Sequence, residues 1–217
     1  MTTPEHTLVS IHLAIAAGLH RHLGWRVIAL AGVAANIPDL DGVPMLFNMH
    51  RFESGHRVWG HNVWAVLVTS VLLAVSQYRW DWLGQVYTWY GKTYHQNQHE
   101  ANSSSYLSSG TRPAHRGSWL ILTTVALVSQ AVHLPCDMVV SGGTGFSDWP
   151  VRPFWPASDI GYVCPLISWG DIGPTVVLMA GVILIAKWPT TARLFSAGTL
   201  VVLTLYLALG GFGSLFA

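Results

Sequence analysis

The chain has 217 residues, of which 51% are hydrophobic and 10% are charged, and its formal net charge at pH 7 is +1. Soluble domains carry about 25% charged residues, so this composition, with a mean hydropathy of +0.41, predicts an integral membrane protein. The near-neutral charge excludes a basic surface for nucleic acid, and the two cysteines indicate neither a zinc knuckle nor a redox pair.

Six apolar segments follow one another without a Pro/Ser-rich linker between them. The first two, about 7–23 and 25–37, are short or interrupted by histidines, whereas a membrane span needs about 20 residues. We expect these two to be tilted, buried inside the bundle or re-entrant. The others cover about 58–78, 118–140, 175–188 and 194–216. The sequence therefore predicts an all-α fold, one integral membrane bundle over residues 1–217 with about four to six membrane-embedded helices.

Two polar stretches interrupt the apolar segments. Residues 79–117 mix aromatic residues with Asn, Gln, Ser and Gly, a composition typical of a solvated, mobile loop. Residues 141–173 are rich in tryptophan and proline, and such a loop lies at the membrane interface or covers a site. The chain begins without the basic region of a cleavable signal, so we expect its first apolar segment to be retained.

The basic residues are unevenly distributed if all six segments cross the membrane. Three lie on the side of the first histidine: Arg51, Arg57 and Arg152. Eight lie on the other side: Arg21, Arg26, Arg79, Lys92, Arg112, Arg116, Lys187 and Arg193. Because cytoplasmic loops carry the excess of Lys and Arg, the side with eight is predicted to be cytoplasmic. The side with three faces away from the cytoplasm and contains most of the acidic residues.

Four short polar clusters on that side contain the candidate metal ligands, each at an end of an apolar segment. Isolated carboxylates and imidazoles are unfavourable near hydrocarbon unless something pairs with them, and a shared metal ion can do so. We therefore predict a metal site at one membrane face. Its candidate ligands are His6, Asp39, Asp41, His56, His61, His133 and Asp137.

The spacing within the clusters supports convergence of some of these side chains. His133 and Asp137 are four residues apart, which places both on one face of a helix, although Pro135 lies between them. His56 and His61 are five apart, about 140° on an ideal helix, so they converge only if His56 precedes the first turn.

Other roles remain open for individual residues. Asp39 and Asp41 follow an apolar segment, where an aspartate can also cap a helix or form a turn. His56 alone is typical of an interfacial histidine, and His6 can be solvated near the chain start. His12 lies within the first apolar segment and is a reserve ligand, with a buried hydrogen-bonded role as the alternative.

The order of these motifs resembles a known family. Pro38-Asp39-Leu40-Asp41, His56-Arg57-x-x-x-His61 and His133-x-x-x-Asp137, followed by a stretch rich in Gly, Trp and Pro, are similar to the YdjM-like family of membrane-bound, metal-dependent hydrolases. Its members are also described as LexA-binding, inner-membrane-associated hydrolases. The resemblance extends from His6 to about Pro156 and implies that all seven candidates form the metal site.

A more remote resemblance connects the ordered Asp and His residues with the all-helical zinc phospholipase C and P1 nuclease group. Members of that group cleave phosphate esters with clustered zinc ions, which implies a phosphoester substrate. The chain departs from the family pattern His-Arg-Gly-x-Thr-His-Ser, because Val58, Gly60 and Asn62 occupy the matching positions. The surroundings of the ligands therefore differ, which affects the choice of substrate and metal.

Carboxylates and imidazoles together suit zinc, with Mn²⁺ or Fe²⁺ as alternatives, and the set is large enough for more than one ion. Asp39 or Asp41 is expected to act as general base. Arg57 and Arg152 are expected to bind phosphate, or else to anchor the protein to lipid headgroups. The predicted function is a membrane-bound hydrolase of a phosphoester or phospholipid at the extracytoplasmic face of the inner membrane.

Three alternatives remain. A non-enzymatic metal-binding or scaffolding protein of the membrane would share the same ligands. A lipid phosphatase of the phosphatidate phosphatase type is suggested by Ser54-Gly55-His56, but that family needs an arginine six residues before the later histidine, where Leu127 stands. A transporter would place ionisable groups near mid-membrane, and among the candidates His12 alone fits that position.

Overall fold

The computed structural model describes residues 1–47, 56–96, 118–140, 142 and 148–210. Within these ranges the predicted all-α fold is confirmed, since helices form the architecture and the β-structure consists of isolated bridges. In chain order the elements are α1 (Thr3–Ala16), α2 (Leu19–His22), α3 (Trp25–Ala34), a 3₁₀ helix (Pro38–Leu46), α4 (Val63–Trp80), α5 (Trp82–Gln96), α6 (Ser118–Val139), α7 (Gly173–Lys187), a 3₁₀ turn (Pro189–Thr191) and α8 (Ala192–Ala208).

Three segments of the described chain are long and apolar enough to cross a membrane: Val63–Trp80, Trp119–Val139 and Pro189–Ala208. Two shorter apolar helices, Trp25–Ala34 and Gly173–Lys187, accompany them. The spanning helices keep most of their apolar side chains on the outside of the bundle, as expected where lipid is the solvent.

The first apolar segment is divided by glycines. Gly18 and Gly24 both adopt a φ of +80°, in the left-handed region that favours glycine, and they bound the four-residue α2. As a result α1 and α3 are 14 and 10 residues long, shorter than a full span. They pack against each other in one buried cluster that contains Ala14, Ile15, Ile28 and Ala31.

Residues 82–96 correct one expectation. They form α5 instead of part of a solvated loop, while 97–117 lie outside the described residues. Asp81 ends α4 in the left-handed conformation, with φ +40°, and its carboxylate accepts a hydrogen bond from Gly84 N at 3.2 Å. This aspartate caps the new helix, which a composition averaged over the whole stretch did not reveal.

The helices α4 and α6 are joined by polar side chains. Thr69 donates a hydrogen bond to Gln130 Oε1 at 2.7 Å, and Gln130 Nε2 donates to Ser70 Oγ at 3.0 Å. Such contacts hold helices together in lipid, where apolar burial between helices adds little. Gln130 is three residues before His133, so this pairing fixes the height of His133 on α6 relative to α4.

The opposite end of the bundle gathers three of the basic residues predicted to share the other membrane side, while Arg112 and Arg116 lie outside the described residues. Arg26 NH1 lies 3.0 Å from Asp81 Oδ2, and Arg193 Nε donates to Ala16 O at 3.3 Å. Arg21 likewise donates to the carbonyl of Thr190 at 3.0 Å. These contacts agree with the order of crossings inferred from the apolar segments.

We expect Gly181→Ala to destabilise the bundle by about 1–3 kcal/mol, because a Cβ there would overlap Thr199 Oγ1 and lie 2.7 Å from His12 Cε1. Gly198→Ala is the matched control on α8, since its Cβ would meet nothing within 4 Å. Replacing an exposed helical glycine in this way should be neutral or stabilising by up to about 1 kcal/mol. Thermal unfolding in detergent measures both variants, and equal melting temperatures would contradict this packing.

Candidate metal centre

Asp39 is positioned by the turn that follows α3. Pro38 begins the 3₁₀ helix directly after that turn, so the chain reverses and carries Asp39 toward the start of α1. There Thr3 Oγ1 donates a hydrogen bond to Asp39 Oδ2 at 2.7 Å. The other carboxylate oxygen, Oδ1, remains directed toward His133, at 3.4 Å from its Nε2 atom.

His61 lies in a loop that packs closely on the 3₁₀ helix. A Cβ on Gly60 would overlap the carbonyl of Pro38, so only glycine allows this approach. Asn62 then caps α4 by accepting a hydrogen bond from Ala65 N at 2.8 Å. These two residues differ from the family pattern, yet each has a defined structural role here.

His133 and Asp137 lie on one face of α6, as their spacing predicts, and Pro135 is accommodated inside the helix. Both side chains are about 1% exposed. His133 Nδ1 donates a hydrogen bond to the carbonyl of Ala35 at 2.7 Å, which ties the end of α6 to the end of α3. Its Nε2 atom is thereby turned toward Asp137 Oδ2, at 3.5 Å.

The imidazoles and carboxylates converge at this point. His61 Nε2 lies 3.0 Å from His133 Nε2 and 3.0 Å from Asp137 Oδ2. His6 Nε2 lies 2.9 Å from Asp137 Oδ1, and the His6 ring stacks on that of His133 with centroids 3.5 Å apart. One potential ligand atom from each of four residues lies within 4.8 Å of the others: His6, Asp39, His133 and Asp137.

The hydrogen bonds made by the imidazoles of His61 and His133 indicate that a cation fits between them. The carbonyl of Ala35 accepts a hydrogen bond from His133 Nδ1, and the carboxylate of Asp41 accepts one from His61 Nδ1 at 2.9 Å. In the neutral rings both Nε2 atoms therefore carry lone pairs, although they face each other at 3.0 Å. Two acceptors at that distance repel unless a proton or metal ion lies between them.

His6 supplies a second indication. Its side chain is 1% exposed, and its Nδ1 atom has no hydrogen-bond partner among the described residues. The amino group of Met1 lies 2.7 Å from Asp137 Oδ1, the oxygen that His6 also contacts. The group thus combines nitrogen and oxygen donors of the kind that hold zinc.

Asp41 and His56 form an outer layer around this group. The two oxygens of Asp41 accept hydrogen bonds from His61 Nδ1, from Gly60 N at 3.0 Å and from His56 Nδ1 at 3.1 Å. A carboxylate that receives the far nitrogen of a histidine fixes the orientation of that ring toward a metal. The structure thus places Asp41 beside His61 and away from the central four residues.

Arg57 is buried against Asp137. Its guanidinium donates hydrogen bonds to the carbonyls of Asp137 and Trp149, both at 3.0 Å, and its Nε lies 3.3 Å from Asp137 Oδ2. The side chain is 2% exposed and attaches the tryptophan-rich loop to the end of α6. Arg152 lies elsewhere in that loop, with NH1 3.9 Å from the exposed Asp159.

His12, the reserve ligand, is a buried hydrogen-bonded histidine. Its Nδ1 lies 3.4 Å from Ser196 Oγ and its Nε2 lies 3.2 Å from the carbonyl of Leu178. Sequence reasoning did not identify Thr3, Gly60 or the Ala35 carbonyl as parts of the site. A backbone carbonyl leaves no signal in a sequence, whereas Gly60, three residues after Arg57, could have been recognised as a close approach.

Hydrogen bonds shift the pKa values of Asp41 and His61. Burial would raise the pKa of Asp41, but the hydrogen bonds from His56 and His61 hold it well below its usual range. Burial would likewise lower the pKa of His61, yet the hydrogen bonds to Asp137 and Asp41 outweigh it and raise the pKa to about 9. Without a metal, one proton between the two Nε2 atoms is enough to settle the contact between the imidazoles.

We expect Asp41→Ala to weaken metal binding by about 10–100-fold, the range typical of losing a carboxylate that orients a ligating histidine. Asp159→Ala, which removes a carboxylate that is 84% exposed, is the matched control and should leave affinity unchanged. Competition with a fluorescent chelator measures both, and equal affinities would exclude this role for Asp41.

Metal affinity should rise with pH between 6.5 and 8.5. In the metal-free protein the pKa of His61 is about 9, so the ring is protonated in this range and the proton must leave before Nε2 can bind an ion. One displaced proton gives about tenfold per pH unit, levelling off above the pKa. The same chelator titration, corrected for protonation of the chelator, measures it, and a flat profile would refute the expectation.

Comparison with known proteins identifies one family. The family model described as YdjM inner membrane protein matches residues 1–216. None of the curated proteins and none of the solved structures matches the chain. The family match covers every residue of the metal centre described above. The chain therefore belongs to the YdjM family of inner membrane proteins.

Proposed function

We propose that this protein is a membrane-bound, metal-dependent hydrolase of phosphoesters. One observation carries the proposal: the Nε2 atoms of His61 and His133 face each other at 3.0 Å beside two carboxylates, with their Nδ1 protons already engaged. Such a group is arranged to hold a cation. The donor types favour zinc, with Mn²⁺ or Fe²⁺ as alternatives.

The residues that would hold an ion first are His6, Asp39, His133 and Asp137, and His61 is the next candidate, directly beside them. A divalent cation bound there would polarise a phosphoester and lower the pKa of a water molecule towards about 7. Arg57 and Asp41 would act indirectly, the first by fixing Asp137 and the second by fixing His61. In this scheme Arg57 is a positioning residue instead of a phosphate ligand.

Asp39 would hold the ion through Oδ1, and its second oxygen, Oδ2, is the best-placed general base. Its side chain is 17% exposed, whereas those of Asp41 and Asp137 are 3% and 2% exposed and accept several hydrogen bonds each. In hydrolysis a water oxygen attacks phosphorus and the P–O bond to the alcohol breaks. Asp39 would take a proton from the water and return it to the departing oxygen, so that alcohol and phosphate are released.

The proposed location of the site is the extracytoplasmic face of the inner membrane. Cytoplasmic loops carry the excess of Lys and Arg, and the end of the bundle that contains Arg21, Arg26 and Arg193 is the more basic one in the sequence. The contacts at that end support the order of crossings on which the count depends.

Metal analysis of detergent-purified protein tests the first step. Wild type should retain a transition metal. In His133→Ala and Asp39→Ala the metal affinity should fall further than the loss of about 10–100-fold that is typical when a residue orienting a ligand is removed. His22→Ala and Asp159→Ala are matched controls, because both side chains are exposed and Asp159 contacts Arg152. A wild type without metal would overturn the shared site.

Turnover by the metal-loaded protein tests the second step. We expect hydrolysis of p-nitrophenyl phosphate, bis-p-nitrophenyl phosphate or phosphatidylcholine that is abolished by a chelator and restored by metal. It should be lost in Asp39→Asn at a metal concentration that saturates this variant, because the amide keeps a ligating oxygen but cannot accept a proton from water. Stable metal binding without turnover of these esters would favour a non-enzymatic metal-binding or scaffolding protein.

A further inference from the structure

The depth of the metal centre follows from the lengths of the helices that carry it. With 18 residues and a rise of 1.5 Å per residue, α4 is about 27 Å long, close to the roughly 30 Å thickness of the hydrocarbon core. Val63 therefore lies near the hydrocarbon boundary, and His61 two residues earlier lies at the depth of the headgroups. His133 is six residues from the end of α6, which places it about 9 Å below that end.

The depths of His61 and His133 set the limits for the depth of the metal centre in the membrane. The 22-residue α6 is about 33 Å long, so a centred α6 puts the backbone of His133 inside the hydrocarbon boundary, while His61 is outside it. Their imidazoles meet between the two levels, within about one helical turn of the boundary. A phospholipid carries its phosphoester at this level.

The exposed edge of the centre is apolar. Asp39 is the half-buried member of the four-residue group, and its neighbour Leu40 is 60% exposed. Trp59, two residues before His61, is 69% exposed. The two segments lie in contact, because a Cβ on Gly60 would overlap the Pro38 carbonyl. Each of the two segments that carry Asp39 and His61 therefore exposes a large apolar side chain close to its candidate ligand in the sequence.

The helix that begins two residues after His61, α4, also exposes large apolar side chains. Beyond Trp59 the exposed apolar residues continue into the helix with Trp64, Val68 and Leu72, at 57%, 57% and 63% exposure. In a spanning helix such residues contact acyl chains, and tryptophan favours the interface at the end of the span. An amphiphile could keep its chains along α4 while its headgroup reaches Asp39.

We infer that the substrate is a membrane phospholipid that enters the metal centre from the bilayer over the edge formed by Leu40 and Trp59. The chemistry of this inference rests on the proposed function. The direction from which the lipid enters is inferred from the lengths of the helices and the exposure of the apolar side chains. It assigns Trp59 and Leu40 as lipid-contacting residues that determine specificity for amphiphiles over soluble phosphoesters.

Binding tests the inference independently of turnover. The probe is a phosphonate analogue of phosphatidylcholine, whose P–C bond resists hydrolysis, and the comparison ligand is methylphosphonocholine, which has the headgroup without chains. Titration uses metal-loaded protein in dodecylmaltoside micelles, and the chelator-sensitive part of binding is measured. The lipid analogue should bind at least about tenfold more tightly than the headgroup.

Two variants locate the entry edge. Trp59→Ser should weaken chelator-sensitive binding of the lipid analogue by about tenfold, the effect typical of an aromatic anchor, with Leu40→Ser acting in the same direction. Trp80→Ser is the matched control, because Trp80 is 64% exposed at the opposite end of α4. Metal content should be unchanged in all three variants.

The outcomes separate the two proposals. Lipid binding that depends on Trp59, in a protein that hydrolyses no ester, would retain lipid entry and overturn the proposed hydrolase. Lipid entry would be overturned, and the hydrolase retained, if the protein hydrolyses soluble esters but binds the lipid and headgroup analogues equally. The same conclusion would follow if Trp59→Ser and Trp80→Ser had equal effects on binding.

Discussion

The contact between His61 Nε2 and His133 Nε2 constrains most of what surrounds it. Two imidazole nitrogens that both carry lone pairs would repel at 3.0 Å, so a proton or another cation must lie between them. Asp41 fixes one ring and the carbonyl of Ala35 fixes the other. This contact therefore joins four elements: the 3₁₀ helix, the end of α3, the loop before α4 and the end of α6. A cation between the two Nε2 atoms would stabilise the arrangement of all four.

The membrane explains why this polar group lies at the end of the bundle. Buried carboxylates are unfavourable in hydrocarbon, and the spanning helices α4 and α8 present largely apolar side chains to lipid. The short helices α1 and α3 have one end each at the centre, where they contribute His6 and the Ala35 carbonyl. Interhelical hydrogen bonds such as that of Gln130 hold the longer helices in register, so the ligands meet at one height.

Much of this could be predicted from the sequence because the signals were local. Composition gave the membrane class, and the i, i+4 spacing placed His133 and Asp137 on one helix face despite Pro135. The roles of individual candidate ligands were harder to predict, because Asp39 and Asp41 are two residues apart in the sequence yet contact different side chains. The helix at 82–96 was missed, since a single capping aspartate carries little weight in a stretch judged by its average composition.

The candidate ligands come from widely separated parts of the chain. His6 and Asp137 are 131 residues apart, and Asp39 and His61 belong to two segments between them. In an unfolded chain inserted helix by helix, no subset of neighbours offers the complete group. An ion bound here would act as a non-covalent cross-link that closes several long loops at once. Its capture would report that α1, α3, α4 and α6 have reached their final arrangement, so metal loading would mark the completion of assembly in the membrane.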